Sequence, residues 1–282
     1  MDYALFKGQS SPSSVMRDTL SREIYWDDEA GGMNPLKLRL SFVKIDEQTV
    51  PGGRITDRYR VYVEGAPENK VFSFSTWPMD KTLTADPRDI YVNGQGLLLL
   101  HKPKPEQEMS LSALGDELVV ETMTATAEPV RYLFARRDHQ LLVPGTLVSH
   151  PVAAEEHGCQ LEIRLSKPDA SVVLIVADGF PAKEKIPLVL ESENQSFSGD
   201  MIADQDGHAV MAAFPYVPGK TQGILRATAE GPDCLPTVVL PWGPAAAPST
   251  VPPTSAAPNP PQNDSPAPKS KSKLPSLWKH SK

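Results

Sequence analysis

The chain has 282 residues, of which 40% are hydrophobic and 29 are proline, and its formal net charge is −7. This length favours about two domains, and the proline content disfavours long helices because an interior proline costs about 3 kcal/mol. Residues 244–282 carry five lysines and one aspartate, a charge of +4, so residues 1–243 carry −11. An acidic body is not typical of a nucleic-acid-binding fold, so we do not expect nucleic acid as a partner.

No stretch of the sequence predicts a membrane-spanning helix. The longest apolar runs, residues 97–100 and 172–177, are far shorter than the ~20 residues that such a helix needs. The first residues also lack the run of roughly 7–15 apolar residues that is typical of a secretory signal peptide. Taken literally this favours the cytoplasm, whereas an upstream start that supplies a signal peptide would favour a periplasmic or extracellular protein.

Residues 1–35 are mixed in composition, and we expect an N-terminal arm there. Within it, Ser14–Trp26 carries a rough apolar stripe formed by Val15, Leu20 and Ile24. Such a stripe is compatible with a short amphipathic helix, and a weakly ordered arm is the other interpretation. The sequence leaves both open.

From residue 36 to residue 150 the apolar residues alternate with polar ones. Leu36, Leu38 and Leu40 share one face, which is typical of a half-buried strand. Asn93-Gly94 predicts a hairpin turn in which both residues adopt positive φ. Eight short strands without a convincing helix predict a β-sandwich or barrel domain over 36–150. The strands are expected in 36–45, 58–65, 70–76, 89–102 (two strands), 117–124 and 130–145 (two strands).

Residues 158–243 show the same alternation and form the second expected domain. Seven strands in about 85 residues match the size of an immunoglobulin-like sandwich. The fold class that we predict is therefore all-β, with two tandem β-sandwich domains. One strand, in 171–180, is a continuous apolar run. The seven expected strands lie in 159–166, 171–180, 186–192, 195–203, 207–215, 223–230 and 235–243.

Asp204-Gln205-Asp206-Gly207 begins like a calcium-binding loop. In the helix-loop-helix pattern position 12 is a glutamate, but counting from Asp204 this position is Pro215. The flanking segments are also predicted strands rather than helices. The motif therefore predicts a tight turn without a metal.

Two segments of the second domain resemble a known family. "GDMIADQDGHAVMAAFP" (199–215) and "VADGFPAKEKIPL" (176–188) are similar to elements that flank strands in bacterial immunoglobulin-like domains. Ala182-Lys183 stands where that family has Pro-Gly. The stretch Cys159–Gly243, about 30% of the chain, thus resembles such a domain of bacterial envelope-type proteins. The resemblance implies a fold and says little about activity, because one fold hosts many functions.

Cys159 and Cys234 stand at the starts of the first and the last of the seven strands. In immunoglobulin-like sandwiches part of the first strand runs beside the last, so the resemblance implies that the two cysteines are neighbours and form a disulfide. Such a bridge closes about 75 residues and stabilises by roughly 4 kcal/mol. It also implies an oxidising compartment. Two free, buried thiols are the alternative.

Enzyme signatures are sparse. The sequence contains none of the short motifs of serine hydrolases, zinc proteases, P-loop proteins or dinucleotide-binding proteins. We therefore expect no catalytic residue, no cofactor and no bound metal. A nucleophilic pair of Cys159 and His157 is disfavoured, because a catalytic cysteine needs a lowered pKa and a partner placed by the fold.

These observations favour a non-catalytic structural or binding module of the bacterial cell envelope or exterior, with an unknown protein or a cell-surface polymer as partner. A carbohydrate- or polymer-binding accessory module is one alternative, and it would present aromatic residues on a flat exposed face. An enzyme with a site between the two domains is the other, and Asp138, His139 and His150 would then share a pocket. The aromatic residues concerned are Tyr59, Tyr62, Trp77 and Tyr91.

The C-terminal stretch 244–282 is rich in proline, alanine and serine. It lacks the apolar surface that would offset its ordering entropy, so we predict a disordered tail. Its basic end favours binding to an anionic surface. The alternative is that the tail is a solubilising spacer without a partner. The residues expected to make this contact are Lys269, Lys271, Lys273, Trp278 and Lys279.

Overall fold

The chain is an all-β protein with one short helix over the part that the structure describes, so the expected fold class is confirmed at this level. The computed structural model describes residues 3–26, 33–50, 54–68, 70–79, 81–100, 117–138 and 140–244. The described residues up to Pro244 belong to one compact unit.

The described elements fall into two groups, each around its own apolar core. The first group consists of β2 (Leu40–Val50), β3 (Arg54–Val63), β4 (Phe72–Pro78), β5 (Thr84–Ala85), β6 (Tyr91–Val92), β7 (Leu98–Leu99), β8 (Val119–Thr122), β9 (Pro129–Arg136) and β10 (Leu142–Val148). The second group consists of β1 (Tyr3–Leu5), α1 (Ser14–Ile24), β11 (Val152–Glu156), β12 (Cys159–Leu165), β13 (Val173–Asp178), β14 (Lys185–Ser192), β15 (Gln195–Ile202), β16 (Ala209–Phe214), β17 (Gly223–Ala229) and β18 (Thr237–Trp242).

Four larger sheets and the β6-β7 pair are formed by these strands. Sheet A has the order β1-β16-β13-β12-β11, sheet B β15-β14-β17-β18, sheet C β10-β9-β4-β5 and sheet D β2-β3-β8. Sheets C and D contribute the residues of the first core, and sheets A and B those of the second core. The described strand pairs are antiparallel except β1 with β16, which is parallel.

Alternation places the aromatic residues of sheet C in the first core. Phe72 stacks on Phe134 and Phe74 stacks on Tyr132, with ring centroids 4.3 and 5.3 Å apart. The strand expected from residue 36 begins only at Leu40. Leu36 is 54% exposed because the alternating pattern continues into the turn before the strand, where no neighbouring strand pairs with it.

The hairpin predicted at Asn93-Gly94 forms between β6 and β7, but its turn differs from the expected one. The Asn93 carboxamide oxygen accepts hydrogen bonds from the backbone N–H groups of Gln95 and Leu97, at 3.0 and 2.9 Å. Positive φ is adopted by Gly96, at 81°, and not by Asn93 or Gly94. A Cβ on Gly96 would lie 2.9 Å from the Val63 carbonyl oxygen, so this close approach requires glycine.

The continuous apolar run in 171–180 becomes a strand that is buried on both faces. Val173, Ile175 and Ala177 of β13 lie in the second core. Leu174 and Val176 point to the opposite face, where they pack with Leu20 of α1. A strand covered on both sides loses its polar alternate positions, which explains the run.

The N-terminal segment completes sheet A and covers it. Of the two expectations for Ser14–Trp26, the helix forms, and the Ser13 hydroxyl caps it by accepting from the Met16 N–H at 3.3 Å. Strand β1 adds to the edge of the sheet beside β16, with Tyr3 opposite Ala212. Strands β1 and β11 are both additional to the predicted ones, because three to five residues give too short an alternation to recognise.

The helix does not have the length or the apolar composition to cross a membrane, and this holds for all helical residues that the structure describes. The expected tail after Pro244, including its five expected contact residues, lies outside the described residues. The tail assignments therefore stay predictions.

Candidate functional site

A disulfide joins Cys159 and Cys234, whose Cα atoms are 6.3 Å apart. The predicted pairing is confirmed, and the alternative of two free thiols is wrong. His157 uses its Nδ1 to contact the Asp233 carbonyl oxygen at 2.8 Å. Since Cys159 is bonded, it has no thiolate to offer, and the nucleophilic pair with His157 is excluded in this state.

The Asp204–Gly207 motif is a turn, as predicted. The Asp204 Oδ1 atom accepts from the backbone N–H groups of Asp206 and His208, at 2.8 and 3.0 Å. Gly207 adopts a φ of 81°, and a Cβ there would meet the Phe180 carbonyl oxygen. One carboxylate oxygen of the motif is thus occupied by the backbone of the turn itself.

The expected grouping of Asp138, His139 and His150 is not formed by the two members that the structure describes. Asp138 lies at the tip of the β9–β10 hairpin and pairs with Arg136 at 2.7 Å. His150 follows β10 at the opposite end, roughly 20 Å away at about 3.3 Å per strand residue. His139 lies outside the described residues.

His150 instead contacts a buried carboxylate that the sequence analysis missed. Asp57 on β3 is 1% exposed, and its oxygens lie 2.8 Å from the Lys44 Nζ and 3.1 Å from the His150 Nε2. These contacts are ion pairs that depart from ideal hydrogen-bond angles. Lys44 also pairs with Glu47 at 2.6 Å. The pairing with Asp57 raises the pKa of Lys44 above its ordinary value, and the pairing with Glu47 raises it further.

A bulge in β2 brings this polar cluster together. The register shifts between Lys44 and Asp46, so Lys44 lies opposite Tyr59 and Glu47 lies opposite Asp57. One extra residue re-aims the side chains that follow it. The cluster ties β2, β3 and the segment after β10 to one another, with Lys44 facing one oxygen of Asp57 and His150 facing the other.

A second set of charges surrounds a small cavity between α1, sheet C and the outer face of sheet A. The cavity measures about 10 Å³, and Glu23, Arg131, Arg164 and His208 contribute to its lining. Arg131 faces Glu23 at 3.7 Å and Arg164 pairs with Glu162 at 2.8 Å. A volume of this size holds about one water, so the cavity is too small for an organic substrate.

The pair of His208 and Asp178 lies beside this cavity at 2.7 Å. The hydrogen bond to Asp178 raises the pKa of His208 above its ordinary value, against the opposing effect of burial. Burial acts to raise the pKa of Asp178, but the hydrogen bond with His208 and the charges of His208 and Arg164 hold it below its ordinary value.

We expect His208→Gln to destabilise the protein more at about pH 5.5 than at about pH 9. The raised folded-state pKa of His208 means that its contribution is complete below the unfolded value of 6.5 and is lost as the pH rises through the raised value. The contribution of Asp178 is present above its unfolded value of 3.8 and is lost as the pH falls through the lowered value. Both contributions to stability are therefore present between the two unfolded pKa values, 3.8 and 6.5.

Since both side chains are partly exposed, the difference between the two pH values should be on the order of 0.5–1 kcal/mol. Urea denaturation at each pH measures it. The control is the double variant His208→Gln with Asp178→Asn, which should cost no more than either single variant because both remove the same pair. A cost that does not change with pH would contradict this assignment.

A groove lies at one end of sheet B. It measures about 490 Å³ and is open to solvent. Its lining residues come from β14, the β14–β15 turn, the loop before β17, and β17 itself: Glu191, Glu193, Asn194, Lys220, Ile224 and Arg226. The groove carries two carboxylates, two cations, one amide and one apolar side chain.

Two contacts hold the polar lining of this groove in place. The Glu193 Oε1 atom accepts from the Ile224 backbone N–H at 3.2 Å. Glu191 faces Arg226 across the strand pair at 3.6 Å. Gly223 permits the close approach, because a Cβ there would lie 2.5 Å from Glu193 Oε1 and 2.6 Å from the Trp242 ring.

The four aromatic side chains considered for a flat binding face are buried or half-buried. Tyr59 lies in the first core, and Trp77 packs against Trp26 with ring centroids 5.2 Å apart. Tyr62 and Tyr91 are half-buried. Tyr216 is an exposed aromatic that follows Pro215, whose carbonyl accepts from the Ser192 hydroxyl next to Glu193 of the groove. Sequence reasoning missed Tyr216 because alternation does not reveal the exposure of a loop residue.

Comparison with protein-family models found no match for this chain, and a search of curated proteins found no similar chain. Among the described residues, no group of three or more His, Cys, Asp or Glu side chains is placed to hold a metal ion.

Proposed function

We propose that this protein is a non-catalytic binding module of the bacterial cell envelope or exterior. In this proposal residues 36–150 and 158–243 form two tandem β-sandwich domains, and the second is immunoglobulin-like. Its seven strands β12–β18 divide between sheets A and B as strands A, B, E and C, C′, F, G of such a domain would, which supports the assignment. The disulfide favours an oxidising compartment and therefore export.

The observation that carries the binding function is the contrast between the two outer faces of the second sandwich. Helix α1 covers the apolar outer face of sheet A. The outer face of sheet B exposes Val189, Ile224 and Val239, which are 41%, 55% and 43% exposed. Cross-strand pairing brings these strands side by side, so the apolar residues share one surface. The exposed Glu191 and Arg226 lie among them on this face, and the partner we propose for such a mixed apolar and polar surface is a cell-surface polymer.

Binding is favoured over the alternative of an enzyme between the domains. The charges around Asp57 are paired with one another, and the cavity between α1, sheet C and sheet A is of water size. A substrate needs a cleft of several hundred Å³, and the groove of about 490 Å³ on sheet B has that size and lies away from these two sites.

Co-sedimentation of the purified full chain with insoluble cell-envelope polymer tests the proposal. We expect the wild type to sediment, and we expect Val239→Asp with Ile224→Asp to reduce the bound fraction by about tenfold, because charges replace apolar contacts. The matched control is Met123→Asp with Leu83→Asp, which places the same two charges at residues outside sheet B that are 56% and 49% exposed. Absence of sedimentation, or equal loss in the control, would contradict the proposal.

The basic end of the tail is a second proposed contact, to an anionic surface. We expect deletion of residues 269–282 to reduce binding of the chain to anionic phospholipid vesicles at low salt. The difference should shrink at physiological salt, because exposed charges are screened over about 8 Å. Vesicle sedimentation measures it, and neutral vesicles are the control. Equal binding by both chains would make the tail a spacer only.

A further inference from the structure

The charges that line the groove on sheet B indicate which class of ligand it can bind. Its four charged residues are two acids and two bases, so the lining has no net charge. A polyanion or a polycation would meet as many repelling as attracting groups. Carboxylates, an amide and a guanidinium at fixed positions match the hydroxyl groups of a neutral ligand, because each hydroxyl both donates and accepts.

Tyr216 is not part of the groove lining itself, but hydrogen bonds tie its segment to the edge of the groove. Tyr216 is 44% exposed, and its ring packs edge-on against buried Trp242 with centroids 6.2 Å apart. The Trp242 Nε1 atom donates to the Ser192 hydroxyl at 3.0 Å, and that hydroxyl donates to the Pro215 carbonyl at 2.6 Å. Ser192 precedes Glu193 and Pro215 precedes Tyr216. These bonds therefore hold the Tyr216 segment beside the Glu193 side of the groove.

We infer that this groove binds a neutral saccharide. The exposed face of Tyr216 stacks on the apolar C–H face of a sugar ring, and Glu193, Asn194 and Arg226 bond its hydroxyl groups. Tyrosine provides this contact at low entropic cost because its ring is rigid and braced. A cavity of about 490 Å³ accommodates one to two sugar rings. The inference rests on the proposed binding function and specifies its ligand class.

The test measures binding of the full chain to neutral oligosaccharides of two to six units, with glucose, N-acetylglucosamine and mannose series as probes. Dextran sulfate and polylysine are the charged comparators. We expect at least one neutral series to bind more tightly than either charged polymer. We expect Tyr216→Ala and Glu193→Gln each to weaken that binding by about tenfold, as truncation of an interface anchor does.

Two controls keep the variants interpretable. Glu193→Gln retains an acceptor for the Ile224 N–H, so its fold is preserved while its charge is removed. Ser198→Ala changes an exposed residue of β15 on the same sheet outside the groove lining, and it should bind like the wild type. Thermal denaturation of each variant confirms that it is folded.

Three results would overturn the inference: binding of none of the neutral series, tighter binding of a charged polymer, or neutral binding that neither groove variant weakens. Concentration-dependent dimerisation that Tyr216→Ala abolishes would also overturn it, because the groove would then belong to a second copy. If the chain still co-sediments with envelope polymer in a manner that Val239→Asp with Ile224→Asp removes, the saccharide inference alone has failed and the binding function stands.

Discussion

Replacement of both cysteines, as Cys159→Ala with Cys234→Ala, should lower the free energy of unfolding by about 4 kcal/mol. The bond joins residues 75 positions apart, and a cross-link of this span removes much of the conformational freedom of the unfolded chain. Chemical denaturation of the two proteins measures the difference. A stabilisation of this size is a large fraction of the 5–15 kcal/mol that typically separates folded from unfolded states.

Reduction of the wild type supplies the matched control. Dithiothreitol should shift its denaturation midpoint toward that of the double variant, and it should leave the double variant unchanged. The alanines also remove two buried sulfur atoms near Phe180 and Gly231, so the variant should be slightly less stable than the reduced wild type. Equal stability of oxidised and reduced wild type would contradict the structural role of the bond.

The same bond bears on the compartment in which the protein works. A structural disulfide persists in the periplasm or outside the cell and is rare in a reducing cytoplasm. Mapping of free thiols in protein taken from its native location therefore tests the proposed export. Recovery of Cys159 and Cys234 as free thiols in such material would place the protein in a reducing compartment.

Much of the strand layout could be predicted from alternation, because burial of one sheet face imposes a period of two. Strands β10, β14, β15, β17 and β18 follow this rule. Strand β13 does not alternate, because it is buried on both faces. Its continuous apolar run reflects a second covering layer, which the structure identifies as α1.

The sites could not be predicted in the same way, because they join residues that are distant in the sequence. Asp57 meets His150 because Asp57 lies opposite Thr122 of β8, whose hydroxyl bonds the Ser149 hydroxyl next to His150. Tyr216 lies beside Glu193 through a hydrogen bond between Ser192 and Pro215, and no local pattern encodes that contact. Alternation identifies a buried face, but it does not identify which polar residues meet across elements.

The buried ion pair of Glu23 on α1 and Arg131 on sheet C should contribute strongly to stability. Arg131 is 2% exposed, faces Glu23 of α1 at 3.7 Å and has its guanidinium 5.3 Å from the Trp77 ring centroid. We expect Glu23→Leu to lower the free energy of unfolding by about 3–5 kcal/mol, because it removes the carboxylate that faces a desolvated cation. Urea denaturation measures the loss. The exposed pair of Lys185 and Asp200 is the matched control.

The double variant Glu23→Leu with Arg131→Met separates the charge from the packing. It removes both charges and keeps apolar volume, so it should recover most of the loss and lie within about 1.5 kcal/mol of the wild type. Asp200→Ala, by contrast, should cost less than about 1 kcal/mol, since water solvates either partner when the other is removed. Additive costs at Glu23 and Arg131 would show that they act independently. Strong coupling there and none at Lys185 would instead show that burial makes the α1 contact depend on its charges.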